Sequence, residues 1–278
     1  MSLMLKFRMV LGLGVVVLAG MAFIAPAASA SAGAVSSHKG ILPPKNPAQS
    51  LSPSFLSSCP GDSDGPACNA AVLAAIAHAR QALEKLGGMS FSLPAYERLT
   101  PAEQLFVTVN LERTERGLAP AVVLSNSLDK IAQSAAQAGR DPALGQVPRR
   151  LAGGGRTTYL GGTWSGGWLN PLGSDYGWMY DDGPGGDNLD CSTARSAQCW
   201  GHRDIILVSF SSASCGGGQA ELAMGAGHAA SAAGYGESDT EILAGVCGPA
   251  PTDTAFTWAK AMKLLDVNYR AGSAEVSR

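Results

Sequence analysis

The chain contains the stretch Cys199-Trp200-Gly201-His202-Arg203-Asp204-Ile205-Ile206-Leu207, in which a polar head runs directly into an apolar segment. An imidazole and a guanidinium follow a glycine, and large aliphatic side chains come soon after them. Such a pattern places the apolar part in a core and leaves the polar part at its edge. We therefore take His202 as the first candidate functional residue.

The first thirty residues have the features of an export signal. Lys6 and Arg8 precede an apolar run over residues 9–24, and the small residues at 28–30 offer a cleavage site. Pro26 and small residues follow the run instead of basic ones, which favours cleavage over retention as an anchor. We expect a secreted or cell-envelope protein that meets a membrane only through this segment, if it stays uncleaved.

Composition restricts the class of protein further. The net charge is −2 and there is no long basic run, so the sequence gives no reason to expect nucleic acid as a partner. All six cysteines follow the signal, as in proteins that form disulfides in an oxidising compartment. Six cysteines allow fifteen pairings. Proximity in sequence favours Cys59–Cys68, Cys191–Cys199 and Cys215–Cys247.

Composition also divides the mature chain. Residues 31–58 are rich in Ser, Ala and Pro, which predicts a flexible lead-in outside the core. Residues 59–97 read as a disulfide-tied helical extension, in which Asn69 is a candidate helix cap. The main domain is expected over residues 98–265, followed by a fraying tail at 266–278.

Two helices open the main domain. Thr100-Pro101-Ala102-Glu103 combines a capping box with proline at the first helical position, and Gly117 ends this helix. A second helix follows Ser125, because apolar residues there recur at helical spacing. Residues 175–182 fit a third, short helix.

The glycine-rich stretch at residues 161–168 shows no helical period and is predicted to be a loop that holds Trp164 and Trp168. Two readings of these rings remain open. They either anchor the loop as buried side chains, which we favour, or form a platform for a carbohydrate or lipid.

A period of two begins after Leu207 and predicts strands near residues 222–226 and 242–246, with a third at 255–259. A Cys215–Cys247 bridge suits antiparallel pairing of the first two strands. If these cysteines oppose each other, partner numbers sum to about 462, which places Leu222 opposite Thr240.

Gly201-His202-Arg203 with the following Ile206-Leu207 pair resembles a signature of bacterial members of the CAP superfamily. That superfamily groups cysteine-rich secretory proteins, antigen 5 and plant pathogenesis-related proteins of class one. Asn110 and Arg113 on the first helix, and Trp178 before the signature, resemble other family positions. The resemblance covers about residues 98–265 and implies an α+β fold, a three-layer α/β/α sandwich with a small antiparallel sheet.

The resemblance also implies where a site would lie. CAP domains that bind metal use two histidines and two glutamates, and His202 matches one of these histidines. No histidine lies between His78 and His202, and Gly162-Thr163-Trp164 stands where the family has Gly-Glu-Asn. Asp181 or Asp182 is placed to replace the second acidic residue. With the set depleted, a divalent metal at His202 is not favoured, and no other cofactor is indicated.

Three functions remain open. The main expectation is a non-enzymatic binding module for a cell-wall, lipid or protein partner, with Trp164, Trp168, Trp178 and Arg203 as cleft candidates. The alternative is a divergent, protease-like hydrolase that uses His202 with Asp181 or Asp182. A structural envelope protein is a third. A hydrogen bond between His202 and either aspartate in an open cleft would favour chemistry.

Overall fold

The computed structural model describes residues 47–59, 65–232 and 234–267 of the chain. The predicted export signal, the lead-in up to residue 46, residues 60–64 of the Cys59–Cys68 loop, residue 233 and the tail from residue 268 lie outside these residues. None of the helices in the described segments has an apolar run long enough to span a membrane.

The described residues combine seven α-helices with five β-strands, so the fold is mixed α and β as predicted. The helices are α1 (Pro66–Glu84), α2 (Leu93–Tyr96), α3 (Pro101–Thr114), α4 (Asn126–Ala138), α5 (Pro171–Tyr180), α6 (Gly201–Ile206) and α7 (Trp258–Leu265). The strands are β1 (Ala121–Ser125), β2 (Arg156–Gly166), β3 (Ala220–Ala232), β4 (Gly236–Cys247) and β5 (Thr254–Thr257).

The strands form one sheet in the order β2-β4-β3-β1-β5. Strands β1 and β3 are parallel, and every other neighbouring pair is antiparallel. The sheet is therefore mixed, and the prediction of an antiparallel sheet is wrong in this respect. The difference comes from β1, a five-residue strand between two helices that the sequence pattern did not predict.

The antiparallel pairing of β3 with β4 is confirmed, but its predicted register is wrong. Leu222 pairs with Gly245, and Thr240 pairs with Gly227. The predicted register assumed that the bridged cysteines oppose each other in the sheet. Cys215 instead ends a short 3-10 helix before β3, and the strand partner of Cys247 is Ala220.

The starts of two helices test the capping predictions. The capping box of α3 is confirmed, because Glu103 N donates to Thr100 Oγ1 and Thr100 N donates to Glu103 Oε2. The predicted cap at Asn69 is wrong, because α1 already begins at Pro66, whose fixed φ suits a first helical position. Asn69 is buried inside the helix.

Two predicted segments change type. The glycine-rich stretch predicted as a loop is largely part of strand β2. A Cβ at Gly161 would lie 2.7 Å from Ile205 Cγ2, and one at Gly162 would lie 2.4 Å from Pro142 Cγ, so close packing explains these glycines. The third strand stops at Thr257, whose hydroxyl accepts from Lys260 N and starts α7.

Helices cover both faces of the sheet, and each face has its own apolar core. On one face α4 packs through Leu128 and Ala132 against strand residues such as Ala223 and Ile242. The larger core on the other face contains residues of α1, α3, α5 and α7. Phe55 also lies in this core, although residues 31–58 were predicted to stay outside it.

The three predicted disulfides are confirmed: Cys59–Cys68, Cys191–Cys199 and Cys215–Cys247. No cysteine is free in the chain. Three bridges fit an extracellular protein, because disulfides persist in oxidising compartments.

The close packing of α4 against β3 leads to a testable prediction. A Cβ at Gly225 would lie 2.4 Å from the carbonyl carbon of Leu128 on α4. We expect Gly225→Ala to lower the free energy of unfolding by about 1–3 kcal/mol, because the backbone of α4 must move. Gly145→Ala is the control, since no atom lies within 4 Å of its Cβ position. Equal urea-unfolding curves for the two variants would contradict this packing.

Candidate functional site

A cleft with a volume of about 480 Å³ opens beside His202. Among the described residues, its polar wall contains five aspartates and no lysine or arginine; these aspartates are Asp141, Asp181, Asp182, Asp187 and Asp190. Its apolar wall contains four aromatic side chains, Trp164, Trp168, Trp178 and Tyr235, together with Leu56 and Leu189. The cleft therefore combines negative charge with aromatic rings.

His202 and Asp182 form a hydrogen-bonded pair at this cleft. His202 Nδ1 lies 2.6 Å from Asp182 Oδ1. The backbone N–H of His202 donates to Asp182 Oδ2 at 3.0 Å, and the amide of Asn188 donates to Oδ1 at 2.7 Å. The same carboxylate thus starts helix α6 and orients the imidazole that α6 carries.

These contacts orient the ring. The Asp182 carboxylate accepts from backbone and amide donors, and its Oδ1 faces Nδ1 of the imidazole. In the neutral form of the ring, a proton on Nδ1 is shared with this carboxylate, and Nε2 has a lone pair. The His202 side chain is 27% exposed, whereas that of Asp182 is 1% exposed. A neutral imidazole that is oriented in this way can act as a general base or a hydrogen-bond acceptor.

Burial and charge act in opposite directions on this pair. Burial favours neutral His202, but the hydrogen bond and charge of Asp182, with the charges of Asp141 and Glu241, raise the histidine pKa above its ordinary value. Burial raises the pKa of Asp182, and its contacts with His202 oppose that rise.

Arg203, predicted as a cleft residue, is buried and faces away from the cleft. Its side chain is 1% exposed, with Nη2 2.7 Å from Glu84 Oε1 and Nη1 donating to the carbonyl of Met179 at 2.6 Å. Arg203 therefore anchors α6 to α1 and α5. Arg113 holds the other end of α6, because its Nη1 donates to the carbonyl of Ile206 at 2.5 Å.

Glu241 on β4 is a buried carboxylate near His202 and Arg113 that sequence analysis missed. It is fully buried, and neither carboxylate oxygen makes a hydrogen bond of good geometry to a described residue, although Thr163 lies opposite it on β2. Burial raises the pKa of Glu241 to about 8, although Arg113 and His202 favour its charged form. The strand register brings this residue near His202.

Asp181 lines the cleft but makes no hydrogen bond to His202. It is 3% exposed, and its Oδ1 has no hydrogen-bond partner in the part of the chain that the structure describes. Burial, followed by the charges of Asp187 and Asp182, raises the pKa of Asp181 to about 7. The cleft therefore holds a carboxyl group that keeps its proton near neutral pH, in addition to the His202–Asp182 pair.

The tryptophans occupy different depths of the apolar wall. Trp164 and Trp168 are half-buried, while Trp178 is buried and its Nε1 donates to the carbonyl of Trp164. Trp164 stacks edge-on against Tyr235, with ring centroids 4.9 Å apart. All three predicted tryptophans line the cleft. Tyr235, on the β3–β4 connection, was not predicted.

The cleft does not reproduce the metal set of CAP domains. Among the described residues, no third histidine, cysteine or carboxylate joins His202 and Asp182 with ligand atoms within 4.8 Å of one another. Two such ligands do not complete a zinc site. We therefore derive no chemistry from a metal at His202.

The raised pKa of Glu241 predicts how the free energy of unfolding depends on pH. An unfolded glutamate loses its proton near its ordinary pKa, whereas folded Glu241 keeps it to about pH 8. The folded protein therefore loses stability as pH rises across this window. We expect Glu241→Gln to remove this loss and raise the free energy of unfolding at pH 9 by about 1–3 kcal/mol, with little change at pH 4.5. Denaturant unfolding at both pH values measures the difference, and an equal effect at the two would contradict it.

Comparisons with known proteins add no family or relative to this geometry. A scan against protein-family models found no match. Searches of curated proteins and of solved structures found no significant match either.

Proposed function

We propose that the chain is a secreted, CAP-like protein whose cleft binds a positively charged extracellular ligand. The Gly201-His202-Arg203 signature and a sheet with helices on both faces support the CAP-like assignment. Three disulfides support the extracellular location. The single observation that carries the ligand class is the lining of the cleft, to which the described part of the chain contributes five aspartates and no lysine or arginine.

The negative charge of the cleft determines which class of ligand it favours. Carboxylates around a low-dielectric cleft attract cations and repel phosphate, sulfate and carboxylate groups. Asp187 and Asp190 are exposed at the rim, where an approaching molecule meets them first. Anionic lipid headgroups and nucleic acids are disfavoured by the same field. A cell-wall or protein partner that presents amines fits it.

Aromatic rings define the rest of the ligand. Trp164 and Trp168 offer half-buried indole faces beside the carboxylates. A cation over an indole is stabilised by about 0.5–2 kcal/mol, and a flat or cyclic body adds buried apolar area. The ligand class is therefore an amine on a ring or an apolar chain, as in deacetylated amino sugars and lysine-containing peptides.

Matched probes test this proposal. We expect a glucosamine tetramer to bind more tightly than its N-acetylated form, and tetralysine more tightly than acetylated tetralysine. A variant with both Asp187→Asn and Asp190→Asn lacks two negative charges. It should bind these probes about 3- to 30-fold more weakly at low salt. Asp266→Asn, at an exposed site outside the cleft, should leave binding unchanged. Calorimetry measures each affinity, and equal affinities for free and acetylated probes would refute the ligand class.

A second function, hydrolysis, is favoured by the His202–Asp182 geometry. In this reaction His202 Nε2 removes a proton from a water molecule that attacks the substrate carbonyl. Asp182 positions the imidazole and stabilises its charged form. Asp181, protonated up to about pH 7, can return a proton to the leaving group. A structural envelope protein would need neither the pair nor the cleft.

Variants of this pair separate hydrolysis from binding alone. If hydrolysis occurs, we expect His202→Gln to lower kcat by at least about 100-fold. Asp182→Asn should lower kcat and also the His202 pKa, because the charge that raises this pKa is gone. Mass spectrometry of amide and ester substrates measures turnover, and histidine NMR signals measure the pKa. Unchanged turnover in His202→Gln would rule out this mechanism.

A further inference from the structure

We propose that His228, Glu237 and Asp239 form a binding site for a zinc-class divalent cation, separate from the cleft function proposed above. His228 lies on β3 directly opposite Asp239 on β4, and Glu237 lies two residues before Asp239. Side chains at opposed positions, and at positions two apart on one strand, share a face of the sheet. The sheet register thus brings one imidazole and two carboxylates together.

The distances between these groups suit a shared metal ion. His228 Nδ1 lies 2.9 Å from Asp239 Oδ1 and 3.6 Å from Glu237 Oε1. Ligand atoms from all three residues lie within 4.8 Å of one another. Nitrogen and oxygen ligands about 2.0–2.2 Å from a zinc ion sit roughly 3.0–3.5 Å apart, so small side-chain movements complete the set. Three protein ligands leave a fourth position for water.

The charge at this position also calls for a cation. The Asp239 side chain is fully buried, and its ion pairs in the described part of the chain include no lysine or arginine. Its partner His228 is neutral when it serves as a metal ligand. A buried carboxylate is costly without a counter-charge, and a divalent ion supplies one.

Surrounding contacts hold the ligands in place. Ser174 Oγ donates to Asp239 Oδ2 at 2.6 Å, which leaves Oδ1 directed at His228. Gln133 on α4 holds the backbone of His228 from both sides, accepting from its N–H at 3.1 Å and donating to its carbonyl at 2.7 Å. Such outer contacts orient ligands and raise metal affinity.

The site is accessible from solvent. The His228 side chain is 20% exposed and that of Glu237 is 11% exposed. An ion can therefore enter along these two residues, while buried Asp239 forms the floor. One imidazole with two carboxylates is a donor set that zinc accepts.

Zinc titration of the full chain, stripped of metal with a chelator, tests the proposal. We expect one Zn²⁺ to bind per chain and to raise the thermal unfolding midpoint. Co²⁺ in the same site should give the visible absorption of a low-coordinate ion. His228→Gln and Glu237→Gln should each weaken zinc binding by about 10- to 100-fold or more. Neither change removes the buried Asp239, and circular dichroism confirms that each variant is folded.

His202→Gln is the matched control, because it removes the histidine of the cleft and leaves the three ligands intact. Unchanged zinc affinity in this variant supports the site. Three outcomes overturn it: no stoichiometric zinc binding by the wild-type chain, equal affinity in wild type, His228→Gln and Glu237→Gln, or loss of binding in His202→Gln alone. Failure of the cationic-ligand assays would not affect this result, because the measured probe is the metal ion alone.

Discussion

The fold is built around a buried carboxylate that two guanidinium groups share. Glu84, near the end of α1, bonds Arg116 through both oxygens at 2.6 Å and lies 2.7 Å from Arg203. Glu112 continues the network with Arg116, Arg80 and the hydroxyl of Tyr180. Removing one partner from a buried ion pair costs about 3–5 kcal/mol, so these charges must be buried together. Helices α1, α3, α5 and α6 therefore depend on one another.

This network explains how a six-residue helix can carry a functional side chain. Helix α6 is too short to be stable alone, and its position is set by contacts with other elements. Arg203 anchors the side of α6, and Arg113 anchors its C-terminal end. The Asp182 carboxylate accepts a hydrogen bond at its N-terminal end. His202 therefore reaches the cleft from a rigid support. Residues 59–97, which supply Glu84, share the core of the segment that follows them.

Local signals in the sequence predicted local features well. The cap at Thr100 and two of the disulfides join residues close together in the chain, and these predictions are confirmed. The Cys215–Cys247 bridge, also confirmed, spans 32 residues. Strand β1 and the strand register depend on contacts between distant segments, which periodicity does not contain. Glu241 and Asp239 were missed for this reason, since only the register places them beside His202 and His228. The resemblance to CAP domains offered Asp181 or Asp182 as the partner of His202, and Asp182 is the one that contacts the imidazole. The burial of Arg203 was not predicted.

The segment between Asp182 and Gly201 starts and finishes at almost the same point. Trp200 N donates to the carbonyl of Asp182 at 3.0 Å, and the Cys191–Cys199 bridge closes the second half of the segment on itself. Because the two ends of this loop lie together, a loop of another length can replace it. The entropic cost of closing a loop grows only slowly with its length. This excursion carries Asp187 and Asp190 on the rim of the cleft. Sequence changes confined to residues 183–200 can therefore alter ligand preference, while the sequences of the helices that support the cleft stay the same.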